Sequence, residues 1–243
     1  MDRRTVSTAL SRGHRASLDG AETDDFSALE VLAEGTGAWL SHLPGYAGIA
    51  LLLHAPLLLV LLLPPLPAGV VAAILVVAGL FVALLVKAAV VKAVIDGRRN
   101  LSTDFLELVE ALRGAPKVLV LGARILGRAS VRCLLLLVPG LLYLTETFAA
   151  VPALIIEGGS MRAALRRSEK LTGGVRTQVL GICLVIWSIA VGLMLFSGLH
   201  KGGSVGSTIW IVVYLCTRAL DTSLAAVMSA MTYHHLCDRP DAG

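Results

Sequence analysis

A chain of 243 residues in which 56% are apolar and only 16% are charged is far from a soluble domain, where about a quarter of residues carry charge. The mean hydropathy of +0.80 and the close succession of apolar runs point to one membrane domain, and the net charge of +4 matters mainly through where its cations sit. Cys133, Cys183, Cys216 and Cys237 stand singly, with no C-x-x-C pair or Cys/His ligand spacing. That excludes a disulfide framework and a zinc site as readings of the sequence, and no metal or other cofactor is expected.

Residues 1–23 are polar and contain no apolar core of signal-peptide length, so they read as a disordered tail. Residues 24–238 then read as a single membrane domain, with 239–243 as a short C-terminal tail. Asp24 and Asp25 open a helical pattern in which Phe26, Leu29, Leu32, Ala33, Trp39 and Leu40 recur on one stripe, and Pro44-Gly45 is expected to end it. Such a helix either lies at the membrane interface, with Trp39 near the headgroups, or packs on the cytoplasmic end of the bundle.

The first crossing is expected over about 46–63, and Pro64-Pro65-Leu66-Pro67 then forbids helix and forms a tight turn. The second crossing covers about 68–91, with Lys87 and Lys92 positioned to snorkel to the headgroups. After the polar break at Asp96–Asn100, Leu101, Phe105, Leu108 and Leu112 share a face of a short helix too acidic to cross.

From Lys117 to Glu157 a single straight helix would measure about 60 Å, twice a bilayer core. Both flanks are basic: Lys87, Lys92, Arg98, Arg99, Arg113 and Lys117 before it, Arg162, Arg166, Arg167, Lys170 and Arg176 after it. By the positive-inside rule both are cytoplasmic, so an even number of crossings separates them. Two helices over about 117–138 and 140–156, turning at Pro139-Gly140 on the outer side, meet that requirement; a shallow re-entrant hairpin is the rival. Further crossings are expected over about 179–199 and 208–233, joined by an outer loop whose only fixed cation is Lys201. The fold class is therefore all-α, a polytopic membrane bundle of about six transmembrane helices with amphipathic interfacial helices and both termini cytoplasmic.

Arg124, Arg128 and Arg132 recur at i, i+4 and i+8 and so share one helix face. Each costs roughly 2.5–3.5 kcal/mol at a helix centre, so they are not expected to face lipid. Glu146 lies at a depth similar to Arg132 across the hairpin, and Arg218 and Asp221 share a face of the last helix. Together these six residues outline an intramembrane polar seam. It reads as a cavity for an anionic headgroup or solute, as an ion-paired brace, or, with the arginine stripe on an interfacial helix, as a shallow hairpin.

Ser160 is placed to cap a helix over 161–171. Met161, Ala164, Leu165, Ser168 and Leu171 form its apolar face, and Arg162, Arg166, Arg167 and Lys170 its basic one, facing the anionic cytoplasmic leaflet.

The stretch 138–174 resembles the signature of a large family of bacterial six-helix membrane proteins of uncharacterised function. That family is related to the membrane domain of some glycerophosphoryl diester phosphodiesterases. Pro139-Gly140, Phe148, Ala149, Pro152, Glu157, Ala164-Leu165, Ser168 and Leu171-Thr172 with Gly174 carry the resemblance. The tail departs from it: Tyr233-His234-His235-Leu236-Cys237-Asp238-Arg239 stands where family members often end in a Tyr-Tyr-Asp-x-Arg-like sequence. The resemblance implies a multi-pass protein of the bacterial cytoplasmic (inner) membrane and brings no activity with it.

No G-x-S-x-G, P-loop or H-E-x-x-H occurs, Gly13-His14-Arg15 has no barrel after it, and the adjacent His234 and His235 point about 100° apart on a helix. The expectation is a non-catalytic envelope module, structural or regulatory, with room for a membrane-protein partner and none for nucleic acid. The alternative is a small transporter or lipid-binding protein using the Arg/Glu/Asp seam.

Overall fold

A computed structural model describes residues 26–62, 68–98, 115–199 and 207–239. The N-terminal tail, the proline turn at 64–67, the short acidic helix expected after Asn100 and the outer loop around Lys201 lie outside these residues. Among the described residues the chain is helical, with no strand.

α1 (Ala28–Ser41) starts at Ser27, whose Oγ accepts the Glu30 N–H at 3.4 Å. It stops at Ser41 rather than at Pro44-Gly45. Pro44 instead occupies the first turn of α2 (Leu43–His54), where a missing N–H leaves no intrahelical bond unmade. α2 passes into a 3₁₀ segment, Ala55–Leu62, because Pro56 removes one N–H and its ring crowds the carbonyl four residues back. The expected first crossing is thus divided between two helix types, and α1 meets the helix that follows it at a bend of 78°.

α3 (Ala68–Arg98) is a long apolar helix. Lys92 pairs with Asp96 at 2.9 Å, whereas Lys87 turns inward over the Phe148 ring, 5.2 Å from its centroid, and does not snorkel.

The region from Lys117 to Glu157 differs in detail from the two-helix expectation. α4 (Ala115–Leu135) ends at Leu136, whose extended backbone (φ −158°, ψ 124°) breaks the helix, and α5 (Leu137–Glu146) packs back against α4. Pro139-Gly140 is not the turn; it sits in the first turn of α5, the part of a helix that tolerates proline. A further turn at Thr147–Ala149 leads to α6 (Ala150–Ile156), and the Thr147 hydroxyl donates to the Tyr143 carbonyl at 2.9 Å across it. α7 (Met161–Thr172) then folds back along α6, α8 (Arg176–Leu199) leaves from its end, and α9 (Ser207–Cys237) closes the bundle.

α9 is the hub, touching α1, α2, α3 and α8. Its stretch Asp221–Tyr233 is buried almost throughout, which lets it carry Ser223, Ser229 and Thr232 inside the bundle. α1 lies along this stretch and not alone at an interface: Trp39 Nε1 donates to Ser223 Oγ at 3.0 Å. Gly35 sits so close that a Cβ would stand 2.6 Å from Met228 Sδ.

Among the described residues, Val77–Gly97, Val138–Ile156 and Arg176–Leu193 are long and apolar enough to cross a membrane. The bent pair Ala28–Ser41 with Leu43–Leu59 is a fourth if it counts as one span. α4 and α9 are not among them. α4 carries its arginine stripe, and α9 carries an ion pair and hydroxyls, with its stretch Asp221–Tyr233 covered by neighbouring helices.

Candidate functional site

The polar groups of the predicted seam separate into an inner pair and an outer ladder. Inside, Arg218 Nη1 donates to Asp221 Oδ2 at 2.8 Å, with the Asp221 side chain 10% exposed and that of Arg218 31%. One turn on, Thr222 Oγ1 donates to the Arg218 carbonyl at 2.7 Å. On the neighbouring α2, His54 is buried and its Nδ1 lies 2.7 Å from the Ala50 carbonyl. A carbonyl only accepts, so Nδ1 carries the proton and Nε2 is left as a bare acceptor, buried without a partner.

Arg124, Arg128 and Arg132 are not in this group. Val118, Leu121, Ile125 and Ala129 form the narrow buried stripe of α4, and the three arginines fall outside it, exposed. Arg132 holds its guanidinium over the Tyr143 ring, 4.2 Å from the centroid. Glu146 does not meet Arg132; it pairs with Arg176 at 3.1 Å, because α8 begins beside the end of α5. Of the six seam residues, the structure brings together Arg218 and Asp221 alone.

A second polar cluster gathers where α6, α7 and α9 meet. Ser160 caps α7, its Oγ accepting the Ala163 N–H at 3.2 Å. The inward face of α7 buries Ala164, Ser168, Leu171 and Thr172, with Leu165 half-buried, while Arg162, Arg166 and Lys170 are exposed. Arg167 departs from the expected lipid face: its Nε donates to Glu157 Oε1 at 2.9 Å. That bond holds its guanidinium pKa above the usual arginine value. Tyr233 of α9 donates its hydroxyl to the same oxygen at 2.6 Å.

Nearby, Ser168 Oγ donates to the Glu146 carbonyl at 2.6 Å, and Thr172 Oγ1 to the Ser168 carbonyl at 2.9 Å. Gly174 ends the element at φ +82°, a conformation that favours glycine. Arg239 Nη1 donates to the Leu171 and Gly173 carbonyls, each at 3.4 Å. The residues read as a family signature therefore fasten α7 to α5, α6 and α9. Sequence reasoning found Glu157, Ser168 and Gly174 but missed Tyr233 and Arg239 as their neighbours, and Arg176 as the partner of Glu146. The tyrosine at the close of an apolar run beside a stretch of histidines was the available signal.

Beside this cluster the ends of α3, α6 and α9 enclose an open cavity of about 270 Å³. Ile95, Ile156 and Met231 supply apolar wall, and Tyr233, His234 and Asp238 supply polar groups. His234 Nδ1 is 2.7 Å from Asp238 Oδ2. Among the described residues no three His, Cys, Asp or Glu side chains converge as a metal site. No family model, curated protein or solved structure matches the chain.

Proposed function

We propose that this chain is a non-catalytic integral membrane module, structural or regulatory, of the bacterial cytoplasmic membrane. The observation that carries the reading is the double use of Glu157 Oε1, which accepts from Arg167 of α7 and Tyr233 of α9. Carboxylate, guanidinium and phenol are engaged in joining helices, and the polar groups around them do the same. The residue order from Pro139 to Gly174, similar to a family of bacterial six-helix membrane proteins, supports the same assignment.

Both termini are placed on the cytoplasmic side, against an anionic leaflet, since basic residues flank the helices there. Six crossings satisfy the charge pattern, as do four if α4 and α5 form a shallow hairpin. The exposed arginine face of α4 favours four.

A second reading, a small transporter or a protein that binds lipid or an anionic solute, is favoured by the 270 Å³ cavity. Purification of the full chain in mild detergent, with mass spectrometry of everything that accompanies it, separates the two. A stoichiometric protein partner without retained solute supports the module. A single solute or lipid species retained in one-to-one ratio overturns it.

A further inference from the structure

We propose that α4 lies along the membrane–water interface and that Arg124, Arg128 and Arg132 bind the phosphodiester groups of anionic phospholipids there. The inference rests on the membrane reading above and assigns a lipid class to the exposed face of that helix. The three arginines are exposed on successive turns and cover about 12 Å along the helix. The nearest acidic candidates of the seam are occupied: Glu146 pairs with Arg176, and Asp221 with Arg218. Among the described residues no carboxylate pairs with any of the three. On a lipid-facing crossing each would carry an insertion penalty with no carboxylate to offset it.

The rest of the exposed face of α4 is apolar. Val120, Val131, Leu134 and Leu135 are exposed beside the arginines, and Leu136 and Val138 extend that surface past the helix break. A cationic strip next to an apolar one is the pattern of a helix lying where acyl chains meet headgroups. Arginine suits the role, because its planar guanidinium donates two parallel hydrogen bonds to a phosphate. Arg132, stacked on Tyr143, is already restricted in orientation. The break at Leu136 returns the chain to the same side, which agrees with basic residues on both flanks.

Two measurements on the full chain test this. In the first, the detergent-purified, delipidated protein is titrated with a fluorescent phosphatidylglycerol in mixed micelles of phosphatidylcholine. The triple variant R124Q/R128Q/R132Q is expected to lose about 100-fold in apparent affinity at low salt, roughly fivefold per arginine, while R162Q/R166Q loses less. Retention of wild-type affinity by the triple variant overturns the proposal, and so does complete displacement of the lipid by millimolar inorganic phosphate.

The second uses a spin label at Gly127→Cys, a position where an added Cβ meets nothing within 4 Å, in a chain whose four native cysteines are replaced by alanine. In vesicles of phosphatidylcholine and phosphatidylglycerol the label is expected at headgroup depth; a label at the bilayer centre sinks the interfacial placement. Failure of the chain to float with reconstituted vesicles at all defeats the membrane reading itself, a result distinct from either of these.

Discussion

Tyr233 and Glu157 stand 76 positions apart in sequence, yet the tyrosine hydroxyl lies 2.6 Å from Glu157 Oε1. Because Arg167 donates to that same oxygen, one carboxylate joins the last turns of α9, the end of α6 and the outer side of α7. Gly158 and Gly159, both at positive φ, let the chain double back immediately after it.

Removing the tyrosine donor or the charge on the shared acceptor should loosen this corner without unfolding the bundle. A hydrogen bond to a charged group contributes about 1.5–3 kcal/mol when buried, and Glu157 is partly exposed, so Tyr233→Phe is expected to cost about 1 kcal/mol. Glu157→Gln keeps an acceptor but loses the charge that Arg167 pairs with, and should cost a similar amount. Thermal unfolding in detergent, followed by circular dichroism, reads both. The raised pKa of Arg167 means that its contribution is complete below the unfolded-state arginine value and fades only above it. The corner is therefore not expected to weaken between pH 6 and 9, roughly, through loss of the guanidinium charge. Unchanged unfolding midpoints in both variants would remove Glu157 as the tie.

The inner pair makes a different prediction, because its acid is largely shielded. Arg218→Ala leaves Asp221 buried without its cation, and the loss of one partner from such a pair costs several kcal/mol when both are buried. With the Arg218 side chain 31% exposed, about 2 kcal/mol is expected. Arg218→Leu combined with Asp221→Leu should recover most of that loss if the pair acts as a brace. A double variant that folds as well as wild type but no longer retains a copurifying anion points to a binding site instead.

Much of this architecture is legible in the residues. The long apolar helices α3 and α8, the Ser160 cap and the amphipathic α7 follow from periodicity and capping chemistry. So does the Arg218–Asp221 pair, because i, i+3 on one helix is a local relation. What periodicity cannot supply is which helix lies against which. Arg132 and Glu146 have matching depth on paper, but the start of α8 beside α5 gives Glu146 to Arg176. Pro139 is a strong breaker in isolation, yet one position of a helix accepts it freely, and Leu136 breaks the chain three residues earlier with no signal of its own. The outward arginines of α4 illustrate the same limit: a 3.6-residue repeat shows that they share a face, and only packing shows which way that face points.

Gly174 offers a test of backbone geometry at the corner. Its φ of +82° ends α7 next to Arg239, and an L side chain there costs about 1–2 kcal/mol. Gly174→Ala should lower the unfolding midpoint by that amount, while Gly181→Ala, on α8 with open space at its Cβ, should not. Equal behaviour of the two variants would mean that the α7–α8 link relaxes freely.

The cysteines report on where the helices sit. Cys183 is fully buried on α8, Cys216 is exposed midway along α9, and Cys237 is partly exposed at the end of α9 beside the cavity. In variants that keep one cysteine and carry alanine at the others, a membrane-impermeant maleimide should label Cys237 in inside-out vesicles and not in right-side-out ones. Cys216 faces acyl chains if α9 crosses, where a thiol stays protonated and unreactive, so it should label only after detergent solubilisation. Cys183 should resist until the bundle is unfolded. Labelling of Cys237 from the outer side would invert the proposed orientation. Rapid labelling of Cys216 in intact vesicles would instead show a water-filled path along α9, and would favour the transport reading over the structural one.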